Sequence, residues 1–270
     1  MSLVFLGGII MEEIKETVQL EIEGRIVYLI LNRPEVFNAF NIDMMKELLE
    51  KLVRLNESTA EIVIITGKGK GFSAGGDINI MQDKMERVEF YLVMDMINQI
   101  VTTLYTMPKL VISAVHGAAA GLGFSFALAT DYILAHKSSI FAMNFIKIGL
   151  IPDGGGHYFI NKRLGEAKTK RLIWEGKNIL AEEAFQMGLI DEITDEDPLE
   201  KANELANRWL SMPIKAMLET KNILSNSNLQ ALNQYLAMEK TSQFEMRKTE
   251  DHKEGVKAFL EKRKPIFTGN

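Results

Sequence analysis

Hydrophobic and polar positions alternate over residues 18–22 (VQLEI), and a second apolar stretch occupies 26–31 (IVYLIL); with Glu23 and Gly24 between them the pattern predicts a β-hairpin. Asn32-Arg33-Pro34 then breaks the second strand. Apolar residues at Met44, Met45, Leu48, Leu49, Leu52, Val53 and Leu55 recur at helical spacing behind Asn41 and Asp43, either of which can cap a helix start. Residues 62–66 (IVIIT) and 110–115 (LVISAV) are apolar without alternation, as strands buried on both faces are. A helix is expected between them, at about 87–104. Glycine-dense segments follow both strands. Residues 124–129 are expected to be helical, 133–135 and 140–143 to be short strands, and 152–156 a glycine turn into a further helix.

Strand signals stop at about Pro198. The remainder predicts helices rich in Lys, Glu, Leu and Met, with breaks at Pro213 and near residues 226–228. Such a tail is too thin to hold a core of its own, so it should pack on the body or on another subunit. Leu205, Trp209, Leu210, Met217, Leu218 and Leu236 are the apolar positions expected to be exposed for that purpose. The units read as strand–strand–helix in succession. The expected fold class is therefore α/β (or α+β), with a core over residues 12–197 and a helical region for packing and oligomerisation over 198–270.

Composition narrows the function classes. A chain of 270 residues, 47% of them hydrophobic, can build a core that needs no disulfide or metal staple. With no cysteine, a disulfide scaffold, a Cys zinc site, an iron–sulfur cluster and a cysteine nucleophile are all excluded. Lys and Arg number 31 against 36 Asp and Glu, and a net charge of −5 argues against nucleic acid as a partner. The first ten residues are apolar but lack a basic lead and run into Glu12 and Glu13, so neither a signal peptide nor a membrane span is expected, and the ordinary sequence begins at Met11. The apolar stretch at 110–130 is rich in Gly and Ala and contains His116, which reads as buried core. A cytoplasmic protein without membrane attachment is expected.

Three glycine clusters follow buried strands, which raises the question of phosphate loops. Gly67, Gly69 and Gly71 have the wrong spacing for GxGxxG, GLGFSF at 121–126 puts Phe126 where a small residue is required, and GxxxxGK[ST] does not occur. GFSFA at 123–127 is one residue from a GxSxG nucleophile elbow, yet Ser125 lies beyond the strand end and inside the expected helix. The four histidines, at 116, 136, 157 and 252, lack ligand spacing, so no metal site is expected. There remain two turns after buried strands, GFSAGGDI at 71–78 and GAAAGLG at 117–123. Each can leave backbone N–H groups free at a helix N-terminus, and if the strands are neighbours the two sets converge. That arrangement is either an oxyanion hole or a pair of close-packed turns without a ligand.

Four segments in order, NRPEVFNAF at 32–40, FSAGGDI at 72–78, HGAAAGLGFSFALATD at 116–131 and IGLIPDGGG at 148–156, together with the ending FLEKRKPIF at 259–267, resemble the crotonase superfamily of enoyl-CoA hydratases and isomerases. The resemblance covers residues 15–265. It implies a spiral of ββα units, a helical C-terminal region that builds trimers or hexamers, an acyl-CoA thioester as the partner, and no cofactor beyond the coenzyme A of the substrate. It further implies that the backbone N–H groups of Gly76 and Leu122 are the oxyanion donors, Leu122 standing where glycine is usual. Ala74 matches a carbonyl that reads the adenine, and Arg33 and Val36 match a segment along the nucleotide. Asp77, Ile78 and Phe145 are, on the same resemblance, expected among the substrate- and CoA-binding residues. Phe259 and Lys262, from a neighbouring subunit, match positions near the adenine and the CoA phosphate; a solvated basic tail is the other reading of Lys262.

The departures from the family pattern bear on the reaction. A typical hydratase of this family holds water between two glutamates, and the matching positions here are Ser125 and Phe145. Neither transfers a proton, and losing such groups costs on the order of 10²–10⁴-fold each. Asp153 falls where the resemblance places the lone carboxylate of the Δ3,Δ2-enoyl-CoA isomerase branch. Burial beside Phe145 and Leu150 would raise its pKa to a useful value. The plain alternative is that Asp153 caps the helix that follows. The expected function is thus isomerisation of a 3-enoyl-CoA with Asp153 as acid and base. Hydration or another reaction on a CoA ester, and acyl-CoA binding without chemistry, are the competing readings.

Overall fold

The computed structural model of the chain describes residues 5–6, 9–10, 16–78 and 85–270. Phe5–Leu6 (β1) and Ile9–Ile10 (β2) pair as a short antiparallel ribbon. The hairpin expected from the alternation is present: Val18–Glu23 (β3) and Ile26–Leu31 (β4) pair antiparallel, with Gly24 at φ 60° in the turn between them. Beside β4 lie Ile62–Gly67 (β5), Leu110–Val115 (β6), Tyr132–His136 (β8) and Glu192–Thr194 (β11), all parallel, in the order β11-β8-β6-β5-β4-β3.

The continuous apolar runs have a direct cause. Alternate side chains of β4, β5 and β6 serve two cores. Val27, Leu29, Val63, Ile65, Val111 and Val115 face the main core, whereas Ile26, Tyr28, Ile62, Ile64, Leu110 and Ile112 face a second one. The main face is covered by Ile42–Glu57 (α1) and Arg87–Thr106 (α2), and Asn41 caps α1 by accepting from the Met44 N–H at 2.9 Å. The second face is covered by Pro198–Leu210 (α7) and the start of Ile214–Met246 (α8), through Ala202, Leu205, Ala206 and Ile214. The tail therefore docks on its own sheet. Buried Lys221 of α8 fastens it, donating to the Asp131 carboxylate and to the Lys109 carbonyl, both at 2.7 Å.

Two expectations for the tail are corrected. α8 runs unbroken through residues 226–228, because Asn226, Ser227 and Asn228 return their side-chain donors to the carbonyls of Asn222, Ile223 and Leu224, one turn back. Leu205 and Leu236 are buried within the chain, not exposed, since each faces a core already formed by the body. Trp209, Leu210, Met217 and Leu218 are partly buried against the second core, and the exposed apolar side chains of the tail are Met212, Ile223, Leu224, Met238, Phe259, Leu260, Ile266 and Phe267.

A smaller sheet positions the site. Ala118–Ala120 (β7) runs parallel to Ile140–Ala142 (β9), and Asn178–Leu180 (β10) pairs antiparallel with β9. Leu122–Leu128 (α3) follows β7 after one glycine, and Gly156–Leu164 (α4) packs on α3. Glu166–Glu175 (α5), Ala181–Met187 (α6) and Glu250–Leu260 (α9) complete the helices used below. Among the described residues, no helix is long and apolar enough to cross a membrane.

Candidate active site

The loop after β5 is built around Asn38. This residue sits at φ 55°, a conformation that Asn tolerates better than most. Its buried side chain accepts from the Arg33 N–H at 2.8 Å and donates to the carbonyls of Lys68 and Gly71 at 3.0 and 2.9 Å. Ser73 adds a bond from its hydroxyl to the Asn38 carbonyl at 2.8 Å. The loop then takes an edge on each side. Phe40 N donates to the Gly75 carbonyl at 2.7 Å and Asp77 N to the Phe40 carbonyl at 3.0 Å, a parallel ladder step that straddles Gly76. In extended backbone the Gly76 N–H then points away from Phe40, and among the described residues it meets no acceptor.

The second loop is bonded to the first. Phe72 N donates to the His116 carbonyl, Ser73 N to Ala118 and Ala120 N to Ser73, at 2.9, 3.0 and 2.9 Å. Two glycines permit this closeness. A Cβ on Gly75, which lies at φ 94°, would sit 2.6 Å from the Ala120 carbonyl and 3.2 Å from the Leu122 nitrogen; one on Gly123 would sit 2.7 Å from Ser73 Cβ. α3 therefore begins directly against the first loop. The Leu122 N–H, at its first position, has no acceptor among the described residues. The two loops adjoin, and each carries an N–H group, that of Gly76 and that of Leu122, without an acceptor among the described residues.

Those loops border a cleft of about 490 Å³ of empty space, its open mouth included. Its wall is apolar, with Phe40, Met45, Phe90, Val93, Met94, Ile97, Leu122, Phe145 and Leu150, and its polar members are Asp77, Asp153, Gln243 and Arg247. Asp77 is held by Arg33 at 3.1 Å. Asp153 is placed differently. One carboxylate oxygen, Oδ2, accepts from Gln243 Nε2 at 3.3 Å, while Oδ1 is buried and has no partner among the described residues. Burial first, and then the negative charge of nearby Glu239, push the Asp153 carboxyl up to about 7.

Asp153 does not cap α4. Glu239 of α8 does, accepting from Gly155 N at 2.8 Å and from His157 N at 3.1 Å, and it also binds His157 Nδ1 at 2.8 Å. The Asp153 side chain is thereby left to the cleft. Ser125 is buried in α3 and its hydroxyl donates to the Asp153 backbone carbonyl at 2.7 Å, so it anchors the turn that carries the acid. Phe145 opens the short 3-10 turn Phe145–Ile148 and supplies apolar wall.

The other residues marked by sequence are distributed around this centre. Gly76, Asp77, Leu122, Phe145 and Asp153 line the one cleft. Arg33 turns inward, its guanidinium bonded to the Ala39 carbonyl and to Asp77, so it braces the first loop. Val36 and Ala74 are exposed beside that loop. Ile78 is partly buried at its end, and the helix expected beyond it falls on residues 79–84, outside the described residues. Phe259 and Lys262 are exposed at the end of α9 and are not part of this chain's cleft. Sequence reasoning did not mark Glu239, Gln243 or Arg247. Their four-residue spacing puts all three on one face of α8, but only the docking of the tail shows that this face meets Asp153.

The profile of the enoyl-CoA hydratase/isomerase family matches residues 21–270, and the chain belongs to that family. It is similar to Bacillus subtilis YhaR, named for the same family, at 48% identity over 93% of this chain and 99% of that one. It is also similar to the 1,2-epoxyphenylacetyl-CoA isomerase of Escherichia coli, at 36% identity over 92% and 97% of the two chains. Among solved structures, an enoyl-CoA hydratase of Mycobacterium avium subsp. paratuberculosis superposes with a TM-score of 0.84 at 27% identity, covering 93% of this chain and 98% of that one. The crotonase fold expected from the motifs is the fold of the chain, and the protein is an enzyme of the enoyl-CoA hydratase/isomerase type.

Proposed function

We propose that the enzyme isomerises a 3-enoyl-CoA to the 2-enoyl-CoA, with Asp153 as the one acid/base. The observation that carries this reading is the buried, unpartnered Oδ1 of Asp153 in a cleft that also offers the free N–H groups of Gly76 and Leu122. In the first step the Asp153 carboxylate takes a proton from C2. The C–H electron pair passes through the thioester, and the negative charge comes to rest on its oxygen, between the two N–H donors. In the second step the dienolate collapses. A C2–C3 double bond forms, the C3–C4 π electrons take a proton at C4 from the Asp153 carboxylic acid, and the carboxylate is regenerated. No water is consumed and no electron leaves, so the reaction calls on no cofactor; coenzyme A enters as part of the substrate. A carboxyl near 7 can both accept and return the proton at neutral pH.

Hydration is the competing reading, and one observation favours it: a second carboxylate, Asp77, lines the cleft. Asp77 is however committed to Arg33, the hydroxyl of Ser125 is committed to the Asp153 carbonyl, and Phe145 offers water no hydrogen bond. Glu239 is acidic but does not line the cleft. Of the relatives described above, one is named a CoA-ester isomerase and one an enoyl-CoA hydratase, so their names favour neither reading.

Further parts of the reading rest on the exposed apolar side chains of α8 and α9. They suit a homotrimer, or a dimer of trimers, in which Phe259 and Lys262 reach the nucleotide held along Val36 and Ala74 of a neighbouring copy. The setting is the cytoplasm. A panel of CoA esters tests the reaction: conversion of 3-enoyl-CoA to 2-enoyl-CoA without water uptake is expected. Faster formation of 3-hydroxyacyl-CoA from 2-enoyl-CoA would make the enzyme a hydratase, and tight binding of every ester without turnover would make it a binding protein.

A further inference from the structure

Gln243 and Glu239 lie one helical turn apart on α8, and both are buried. Gln243 has its amide orientation set by its neighbours. Its Oε1 accepts from the Ile151 N–H at 3.2 Å, which leaves Nε2 to donate to Asp153 Oδ2 at 3.3 Å. With Oδ2 held in this way, Oδ1 is the carboxylate oxygen left without a partner among the described residues. Glu239 sits behind the same turn, and the groups around its carboxylate are the N–H of Gly155, the N–H of His157 and the His157 ring. It carries its charge to Asp153 without entering the cleft. The other charged groups near Asp153 are His157, which is bonded to Glu239, and Asp77 and Arg247 of the cleft lining, Arg247 lying one turn beyond Gln243 at the end of α8.

We infer that Gln243 and Glu239 form a positioning pair that selects Oδ1 of Asp153 as the proton-carrying atom and sets its basicity, with opposed effects. The inference rests on Asp153 being the acid/base of the proposed reaction. The amide donor of Gln243 favours the ionised carboxylate, and the Glu239 charge disfavours it, so α8 supplies both a brake and a drive. Ser125 fixes the backbone of the turn, and the two α8 residues fix the proton's address and its affinity. The C-terminal helices thus have a role in the site besides packing.

The opposed signs make the pair testable. Glu239→Gln removes the charge while keeping an acceptor for the α4 N-terminus. Gln243→Met keeps the length and apolar bulk but removes the donor. The protonated-carboxyl infrared band that is lost in Asp153→Asn reports the titration of Asp153 directly, whatever reaction is catalysed. In the full-length enzyme that titration is expected to fall by about one pH unit in Glu239→Gln and to rise by about half a unit or more in Gln243→Met. The acid limb of kcat for a 3-enoyl thioester should follow in the same two directions. A structural role alone would lower kcat at every pH and leave the limb in place. Unmoved titrations in both folded variants, or shifts in the same direction, would overturn the inference. Opposed shifts in an enzyme that does not turn over 3-enoyl-CoA would uphold the pair and sink the isomerase reading. Turnover with unmoved titrations would do the reverse.

Discussion

Glu239 occupies the capping role that the sequence alone offers to Asp153. The two carboxylates flank one turn, and the N–H groups of Gly155 and His157 go to Glu239, at 2.8 and 3.1 Å. Asp153 is thereby relieved of helix capping, and its Oδ1 is left buried without a partner among the described residues. An ionised carboxyl in such a place is costly unless something uses it. The cost is itself measurable.

Asp153 should therefore destabilise the enzyme when charged. Its folded-state pKa is raised to about 7 from an ordinary 3.8, so the native state binds its proton more tightly than the unfolded chain does. Stability from this group is complete at about pH 4 and is lost as pH rises toward 7. Asp153→Asn should melt near wild type at pH 4 and higher than wild type at pH 8, by at most several kcal/mol. Thermal melts at both pH values check this, and a variant no more stable at pH 8 would mean that the acid is solvated.

Ser125→Ala removes the hydroxyl that donates to the Asp153 carbonyl at 2.7 Å in a fully buried setting. A loss of about 1–2 kcal/mol is expected from the unpaired carbonyl, with a fall in kcat of only a few-fold, because the hydroxyl carries no proton of the reaction. Urea denaturation and steady-state kinetics on one preparation separate the two. A loss of activity as large as that of an Asp153 variant would give the serine a chemical role.

Leu122 contributes its backbone N–H to the centre and its side chain to the wall, so the two can be separated by mutation. A small apolar cavity lined by Phe40, Met45, Ile97, Ile100, Val101, Leu122 and Phe126 lies beside the cleft and shares four of its residues, Phe40, Met45, Ile97 and Leu122. Leu122→Ala should join the two spaces. Substrates with longer or bulkier acyl groups should gain in kcat/KM relative to short ones, while the N–H donor is kept. The truncation should also cost roughly 2–5 kcal/mol of stability. An unchanged ranking across a chain-length series would place the acyl group elsewhere.

Asn38 ties the Arg33 backbone to the loop after β5 through three hydrogen bonds, from a left-handed conformation. Asn38→Ala loses these bonds in a buried site and gains strain, so a loss of about 3 kcal/mol or more is expected, together with a fall in kcat as the Gly76 loop loosens. Denaturation midpoints and kcat on the same protein check this. Full activity would mean that Arg33 and Ser73 hold the loop without it.

Much of this was legible in the residues because the responsible forces are local or periodic. IVIIT and LVISAV are apolar on both sides since β5 and β6 are covered on both faces, and the Asn41 cap follows from one side chain and one N–H. The paired loops could be foreseen as candidates because glycine spacing records close approach, as at Gly75 and Gly123. Other features depended on long-range packing. The three alanines at 118–120 form a strand only because the first loop and β9 lie alongside them. Residues 226–228 look like a helix break, but their polar groups have carbonyls to bond within the helix. Glu239 and Gln243 gave no motif at all, since what defines them is bonding across more than eighty residues of chain, Gln243 to Asp153 and Glu239 to Gly155 and His157.

The most direct test of the account is the kcat of Asp153→Asn on a 3-enoyl-CoA, measured beside its affinity for an unreactive acyl-CoA. Asn keeps the size of the side chain and an acceptor for Gln243 and removes only the ability to carry a proton. The expected result is unchanged affinity and a kcat lower by at least roughly 10²-fold. A variant that binds as wild type and isomerises within a few-fold of it would contradict the assignment of Asp153 as the acid/base.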